Sequence, residues 1–373
     1  MFERDTLSII GEGENPYEDS VSFPIFQSST FGGGKEYSYS RCSNPTRNAL
    51  EKAVARLEGA RFGFAFSSGL ASINSVFSLL RSGDTVLVSD DLYGGTYRLI
   101  TKIYQNYGIK FVFVDMTDAE NIAKHLCNGA SMVFVESPTN PMMKIAPLPE
   151  IGLLCKEKGA LFVVDNTFLS PYFQNPIQFG ADIVIHSATK YLSGHHDTLS
   201  GIAVTDREDI AEKLNIIAMT LGNCLSPFDS WLVLRGMRTL PMRMEKHEEN
   251  AKSIARFLKS LPEVEKVFYP GLPEHLGHSL CKKQARGFGG VVSFTLKEKK
   301  HVQAFLKGGN IIKFAESLGG FRSLITYPLT QTHFSIPEEM REKIGITDRL
   351  LRLSLGLESD RDIKEDIMKI LRD

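Results

Sequence analysis

Short apolar runs alternate with longer amphipathic ones through the middle of this chain. Thr85–Val88, Lys110–Val114, Met132–Val135, Leu161–Val164, Ala181–His186 and Gly201–Val204 are compact and mostly β-branched or aromatic, which predicts strands. Thr96–Tyr107, Ala119–Cys127 and Pro149–Lys158 lie between them and carry helical spacing. Apolar strands separated by helices predict a mostly parallel sheet covered on both faces. Upstream, Asn44-Pro45-Thr46 offers a helix start followed by Leu50, Val54 and Leu57, and Ser67-Ser68-Gly69-Leu70 reads as a turn feeding a helix to about Leu80.

The pattern changes after Pro227. Asp229–Ser260 predicts a long helical region bent or divided near Gly236 and Pro241. Gly289–Leu296 and Leu350–Leu355 alternate like strands, and Asp360–Leu371 fits a closing amphipathic helix. Residues 1–45 are polar, include Gly32-Gly33-Gly34 and show little helical periodicity. They predict an extended arm that would be costly to order unless it packed on another surface. The expected fold class is therefore α/β: an arm over 1–45, a large mostly parallel-sheet domain over 46–235 and a smaller α+β domain over 236–373.

With 373 residues the chain can bury a large core unaided. Its net charge of −1, with both signs interspersed, argues against a nucleic-acid partner. Cys42, Cys127, Cys155, Cys224 and Cys281 are spaced too irregularly for a zinc site or a disulfide framework. Together with the lack of a secretory pattern or membrane-length apolar run, this leads us to expect a cytoplasmic protein. His186, His195, His196 and Asp197 fall short of a metal-ligand set and read as polar positioning around a loop.

The candidate chemistry sits at the ends of two apolar runs. Ser187-Ala188-Thr189-Lys190 follows the run 181–186 and puts a lysine among hydroxyls where burial would strip its hydration. A lysine bound to an aldehyde as a Schiff base has a chemical reason to be there, and the hydroxyls suit the phosphate of pyridoxal 5'-phosphate (PLP). Asp165 ends the run 161–164, where parallel strands present ligand-binding groups. It reads either as a cap for the next segment or as the partner of the protonated pyridine nitrogen, which would strengthen the ring as an electron sink.

From the arm to the last helix, the sequence resembles the PLP-dependent cystathionine and methionine metabolism enzymes. The resemblance rests on Tyr39-Ser40-Arg41, Asn44-Pro45-Thr46, Ser68-Gly69-Leu70, Asp91-Leu92-Tyr93-Gly94-Gly95 and Glu136-Ser137-Pro138-Thr139-Asn140-Pro141. It continues through Val164-Asp165-Asn166-Thr167, Ser187-Ala188-Thr189-Lys190-Tyr191, Glu316-Ser317-Leu318-Gly319-Gly320 and Arg352-Leu353-Ser354. It implies the aspartate-aminotransferase-like fold (fold type I), with PLP held on Lys190 as an internal aldimine. Ser68, Gly69, Leu70, Ser187 and Thr189 would then surround the phosphate, Tyr93 would stack on the ring, and Asn140 would meet the 3-hydroxyl. Arg352 would anchor the substrate α-carboxylate, with Ser317 supporting that end and Tyr327 as a wall candidate. Tyr39 and Arg41 would reach into a neighbouring subunit's phosphate site, implying at least a dimer and commonly a tetramer.

Among the family's reactions, Pro227-Phe228-Asp229-Ser230-Trp231, Ile325-Thr326-Tyr327-Pro328 and Thr330-Gln331-Thr332-His333 resemble the cystathionine γ-synthase and acylhomoserine-thiolyase branch. They lead us to expect γ-replacement of an O-acylhomoserine by cysteine. Asn48-Ala49-Leu50-Glu51-Lys52 and Asp90-Asp91-Leu92-Tyr93-Gly94-Gly95 resemble γ-lyases instead, making a carbon–sulfur lyase the alternative. Ser38 replaces the acidic residue often found before the Tyr39 equivalent. An inactive PLP-binding protein is a further alternative. A nucleotide-dependent oxidoreductase is disfavoured, because Gly32-Gly33-Gly34 lacks the strand–glycine–helix setting of a dinucleotide site.

Overall fold

The computed structural model describes residues 2–13, 20–33 and 36–372; Gly34 of the glycine run lies outside them. The chain begins with α1 (Arg4–Ile10), α2 (Pro45–Glu58), β1 (Phe62–Phe66), α3 (Gly69–Phe77), β2 (Thr85–Ser89) and α4 (Gly94–Lys102). It continues through β3 (Lys110–Val114), α5 (Ala119–Leu126), β4 (Met132–Glu136), α6 (Leu148–Lys158), β5 (Leu161–Asp165) and a single turn, α7 (Ser170–Phe173). Next come β6 (Ile183–His186), β7 (Gly201–Thr205), α8 (Glu208–Leu221), α9 (Pro227–Met237) and α10 (Leu240–Ser260). The remainder holds β8 (Val264–Phe268), α11 (His278–Gln284), β9 (Val291–Leu296), α12 (Lys299–Lys307), β10 (Lys313–Phe314), β11 (Leu324–Thr326), α13 (Glu338–Ile344), β12 (Leu350–Ser354) and α14 (Asp360–Arg372).

The described residues form two sheets. The larger has the order β1-β7-β6-β5-β4-β2-β3. Its core from β3 to β6 is parallel, whereas β7 runs antiparallel to both β6 and β1. The apolar runs are buried on both faces: Val133, Val164 and Val184 pack with α2 and α6, while Phe134, Val163 and Ile183 pack with α3. This is why these strands show no alternation in sequence. The smaller sheet, β10-β11-β12-β9-β8, buries one face against α10, α12 and α14. No helix among the described residues is long and apolar enough to cross a membrane.

Local sequence explains several boundaries. The Asn44 side chain accepts from the Thr46 and Arg47 N–H groups at 3.0 and 3.4 Å, capping α2 with Pro45 in its first turn. The helical region expected over Asp229–Ser260 is two helices parted at Arg238–Thr239, between the expected breaks at Gly236 and Pro241. Pro241 occupies the first turn of α10, where its missing N–H costs nothing, while its ring prevents continuation from α9. Expected Thr96–Tyr107 likewise divides into α4 and a 3₁₀ turn at Tyr104–Tyr107.

The arm departs from the expectation. Arg4–Ile10 is helical and packs on α2 and α10, with Arg238 paired to Glu12 and the Arg4 guanidinium on Asn175 Oδ1 at 2.6 Å. So short a polar helix is not stable alone. Tertiary contacts hold it, and no periodicity announces it. Farther along, Trp231 Nε1 donates to Phe23 O at 3.0 Å, so this part of the synthase-like segment pins the arm.

Candidate active site

The carboxyl ends of β4, β5 and β6 open into a cavity of about 340 Å³ closed on its far side by residues of the smaller sheet. Thirteen residues were singled out above as site candidates: Lys190, Tyr93, Tyr39, Arg41, Ser68, Gly69, Leu70, Asn140, Asp165, Ser187, Thr189, Ser317 and Arg352. All of them border this cavity except Tyr39 and Arg41. Those two lie together elsewhere, with the Arg41 guanidinium 5.6 Å from the Tyr39 ring centre and Nη1 donating to Met219 O at 2.6 Å. Tyr327 is in the core of the smaller domain, its hydroxyl donating to Asp348 O at 3.0 Å. It does not border the cavity; Thr332 from the same stretch does.

At one end the cavity meets the start of α3. Ser68 is its extended N-cap and accepts from Ala71 N–H at 3.1 Å, leaving the first N–H groups of the helix toward the space. A Cβ on Gly69 would lie 2.9 Å from both Cβ and Oγ of Ser187, so a side chain there would fill the cradle. The Thr189 hydroxyl donates to Ser200 O at 3.1 Å and accepts from Ser200 N–H at 2.9 Å, tying the lysine turn to the strand beside it.

Lys190 is partly buried. Its Nζ donates to Ser317 Oγ at 2.9 Å, and among the described residues it forms no ion pair. Burial, helped by the Arg352 charge, lowers its pKa to about 8. Asp165 accepts from Thr167 N–H at 3.0 Å and from the Thr167 hydroxyl at 2.5 Å. Burial nevertheless raises its pKa. Tyr93 precedes α4, and its N–H lies 3.0 and 3.1 Å from the two Glu136 carboxylate oxygens. A Cβ on Gly95 would strike the Tyr93 ring at 2.4 Å, so glycine is needed for that ring position.

The opposite wall carries a cation. Arg352 is only 2% exposed and has no carboxylate partner among the described residues. Nη1 donates to Asn140 Oδ1 at 2.8 Å, and Nη2 to Ser317 O at 3.0 Å and Thr326 Oγ1 at 3.1 Å; Nε has no partner. Burial lowers its pKa to about 10. Ser317 holds φ 104°, a strained backbone for a residue with a side chain, and thereby serves both Arg352 and Lys190. Asn140 reaches Arg352 through Oδ1, a contact the sequence did not suggest.

This donor set fits PLP: a helix-start cradle for a dianion, a buried carboxylate for a pyridine nitrogen, and a lysine whose amine is readily neutral. The chain matches the family described as Cys/Met metabolism PLP-dependent enzyme over residues 5–372. It belongs to that family. It is 46% identical over 357 residues to cystathionine beta-lyase of Lactococcus lactis subsp. cremoris, covering 94% of each chain. The crystal structure of cystathionine gamma-lyase from Lactobacillus plantarum with L-serine matches with TM-score 0.97 and 40% identity, covering 100% of this chain and 99% of that one. That of cystathionine gamma synthase from Xanthomonas oryzae pv. oryzae with aminoacrylate and cysteine matches with TM-score 0.96 and 40% identity, covering 100% and 98%. The fold is accordingly that of the type I PLP enzymes, and the chain is a PLP-dependent catalyst of carbon–sulfur chemistry.

Among the cavity residues to which the sequence assigned no role are the polar Glu136, Thr167 and Glu316, together with Thr332. Glu136 was discoverable, because it ends an apolar run just as Asp165 does. Glu316 lies in irregular chain, where no periodicity points at a cavity.

Proposed function

We propose that this enzyme is a carbon–sulfur lyase that cleaves L-cystathionine, by γ-elimination, to cysteine, 2-oxobutanoate and ammonia with uptake of one water. This replaces the synthase expectation with its alternative. The supporting observation is the charge layout of the cavity: Arg352 forms no ion pair among the described residues, and Glu316, on the same wall, lies within the fields of both Arg352 and Lys190. Cystathionine carries an ammonium and a carboxylate at each end, so one carboxylate can neutralise Arg352 while the distal ammonium meets Glu316. The 46% identity to a cystathionine beta-lyase and the structural match to a gamma-lyase favour cleavage as well.

Lys190 would carry PLP covalently, the α3 start with Ser187 and Thr189 would hold its phosphate, Asp165 would face its ring nitrogen and Asn140 Nδ2 its 3-hydroxyl. When bound, PLP draws electrons from the substrate's α-carbon and makes the α- and then β-protons removable. Arg352, oriented by Asn140 and Ser317, fixes the α-carboxylate and so directs the α-hydrogen toward Lys190. As a neutral amine, which its lowered pKa favours, Lys190 would accept the α-proton at Nζ. Burial holds the Tyr93 phenol protonated, as a proton source for the departing thiolate. Tyr39 and Arg41, outside their own cavity, would complete the phosphate site of a second copy of the chain.

Product analysis tests the reading. Purified enzyme with cystathionine alone should release cysteine and 2-oxobutanoate in equal amounts. Pyruvate with homocysteine would replace γ- by β-cleavage. Cystathionine made from an acylhomoserine and cysteine, with no cleavage of cystathionine, would restore the synthase.

A further inference from the structure

Glu136 and Asp165 are register partners at the ends of the adjacent parallel strands β4 and β5. Paired positions send their side chains to the same face, and both border the cavity. No lysine or arginine forms an ion pair with Glu136 among the described residues. Two carboxylates placed so closely without a cation between them do not both ionise readily.

The donors decide where the shared proton goes. Asp165 accepts two hydrogen bonds from Thr167, which favour its anion. Glu136 accepts only the Tyr93 N–H, divided between its two oxygens. That N–H favours ionisation of Glu136, but burial and the field of Asp165 outweigh it and push the acid well above its ordinary range. Asp91, in the turn after β2, adds to the negative field on Glu136; His186, at the end of β6, supports the anion at Asp165. From the facing wall Arg352 and Glu316 act on Tyr93 with opposite sign.

We propose that Glu136 is a positioning residue of the cofactor site, which seats Tyr93 through its main-chain N–H and carries the proton of the Glu136–Asp165 pair. Asp165 thereby stays anionic toward the ring nitrogen without a second negative charge beside it. The inference rests on the reading of Asp165 and Tyr93 given above.

Infrared spectra of the PLP-loaded enzyme at pH 7 test the proton. The wild-type minus Glu136→Gln difference should contain a protonated-carboxyl stretch; a difference without that band overturns the assignment. PLP titration of the apoenzyme tests the seat. Glu136→Gln, which keeps an acceptor for Tyr93 N–H, should bind PLP within about twofold of wild type, whereas Glu136→Ala should bind about tenfold more weakly. Equal affinity in Glu136→Ala and wild type overturns the seating role, and should the alanine variant not fold, the infrared result on Glu136→Gln still decides the proton. Asp165→Asn separates the two levels: wild-type PLP affinity there would refute the ring-nitrogen contact itself, whatever Glu136 does.

Discussion

The two walls of the cavity are built on different principles. On the large-sheet side, Glu136, Asp165 and the lysine turn sit where parallel strands end, and backbone direction alone brings them together. On the small-sheet side, Arg352 lies in the middle of Leu350–Ser354 and faces the cavity by alternation. Its neighbours Leu351 and Leu353 enter the domain core, while Thr326 and Ser293 on the adjoining strands extend its polar stripe. One wall holds the carboxylates Glu136 and Asp165, the other the buried Arg352 with Glu316 near it, and Lys190 stands between them. On the proposed reading, a zwitterionic amino acid would enter that field in one orientation, carboxylate toward Arg352 and amine toward Lys190.

The most severe way to break this division is to remove the group common to both walls. Lys190→Ala should lower kcat for cystathionine cleavage by about 10³-fold or more, since it removes both attachment and proton transfer. Turnover near wild type, measured as 2-oxobutanoate release, would refute the role. The facing wall is tested by Arg352→Lys, which keeps charge but loses the planar pair of donors that Asn140, Ser317 and Thr326 orient. KM should rise about 10²-fold with a smaller change in kcat. An unchanged KM would remove Arg352 from carboxylate binding.

The same division explains what was legible in the sequence. Asp165 and Lys190 follow uniform apolar runs, and buried parallel strands produce such runs, so residue order alone marked them. Arg352 interrupts an apolar strand of the smaller domain, and only the family resemblance gave it a role. The Asn140–Arg352 contact joins residues 212 apart in sequence, and no local pattern encodes it. Helix α1 escaped for a related reason, because its order comes from α2 and α10 rather than from its own residues. The β1 strand (Phe62–Phe66) and α8 (Glu208–Leu221) also lack a clear signal, the first because Gly63 interrupts its apolar run.

A gentler probe asks whether the Arg352 charge reaches Lys190. Burial and that charge place the free amine near pH 8, against an ordinary value of 10.5. The neutral amine is the form that attacks the aldehyde of added PLP. The rate at which apoenzyme captures PLP should therefore climb about tenfold per pH unit below 8 and level off above it. A rate still climbing at pH 10 would mean that the lysine feels neither burial nor Arg352. In Arg352→Gln the plateau should move upward in pH, because a like charge has been removed.

The smallest expected effect belongs to the phosphate end of the first wall, which the second wall does not touch. A methyl group on Gly69 would meet Ser187 Cβ and Oγ at 2.9 Å, closer than a real Cβ contact allows, so the lysine turn must shift to admit it. Gly69→Ala should weaken PLP binding about three- to tenfold, in proportion to one compromised phosphate contact, and leave the KM for cystathionine nearly constant in PLP-saturated enzyme. Equal weakening of PLP and substrate would mean that the displaced turn carries Lys190 and Ser317 with it. The two walls would then be mechanically one unit, joined through the 2.9 Å bond between Lys190 Nζ and Ser317 Oγ.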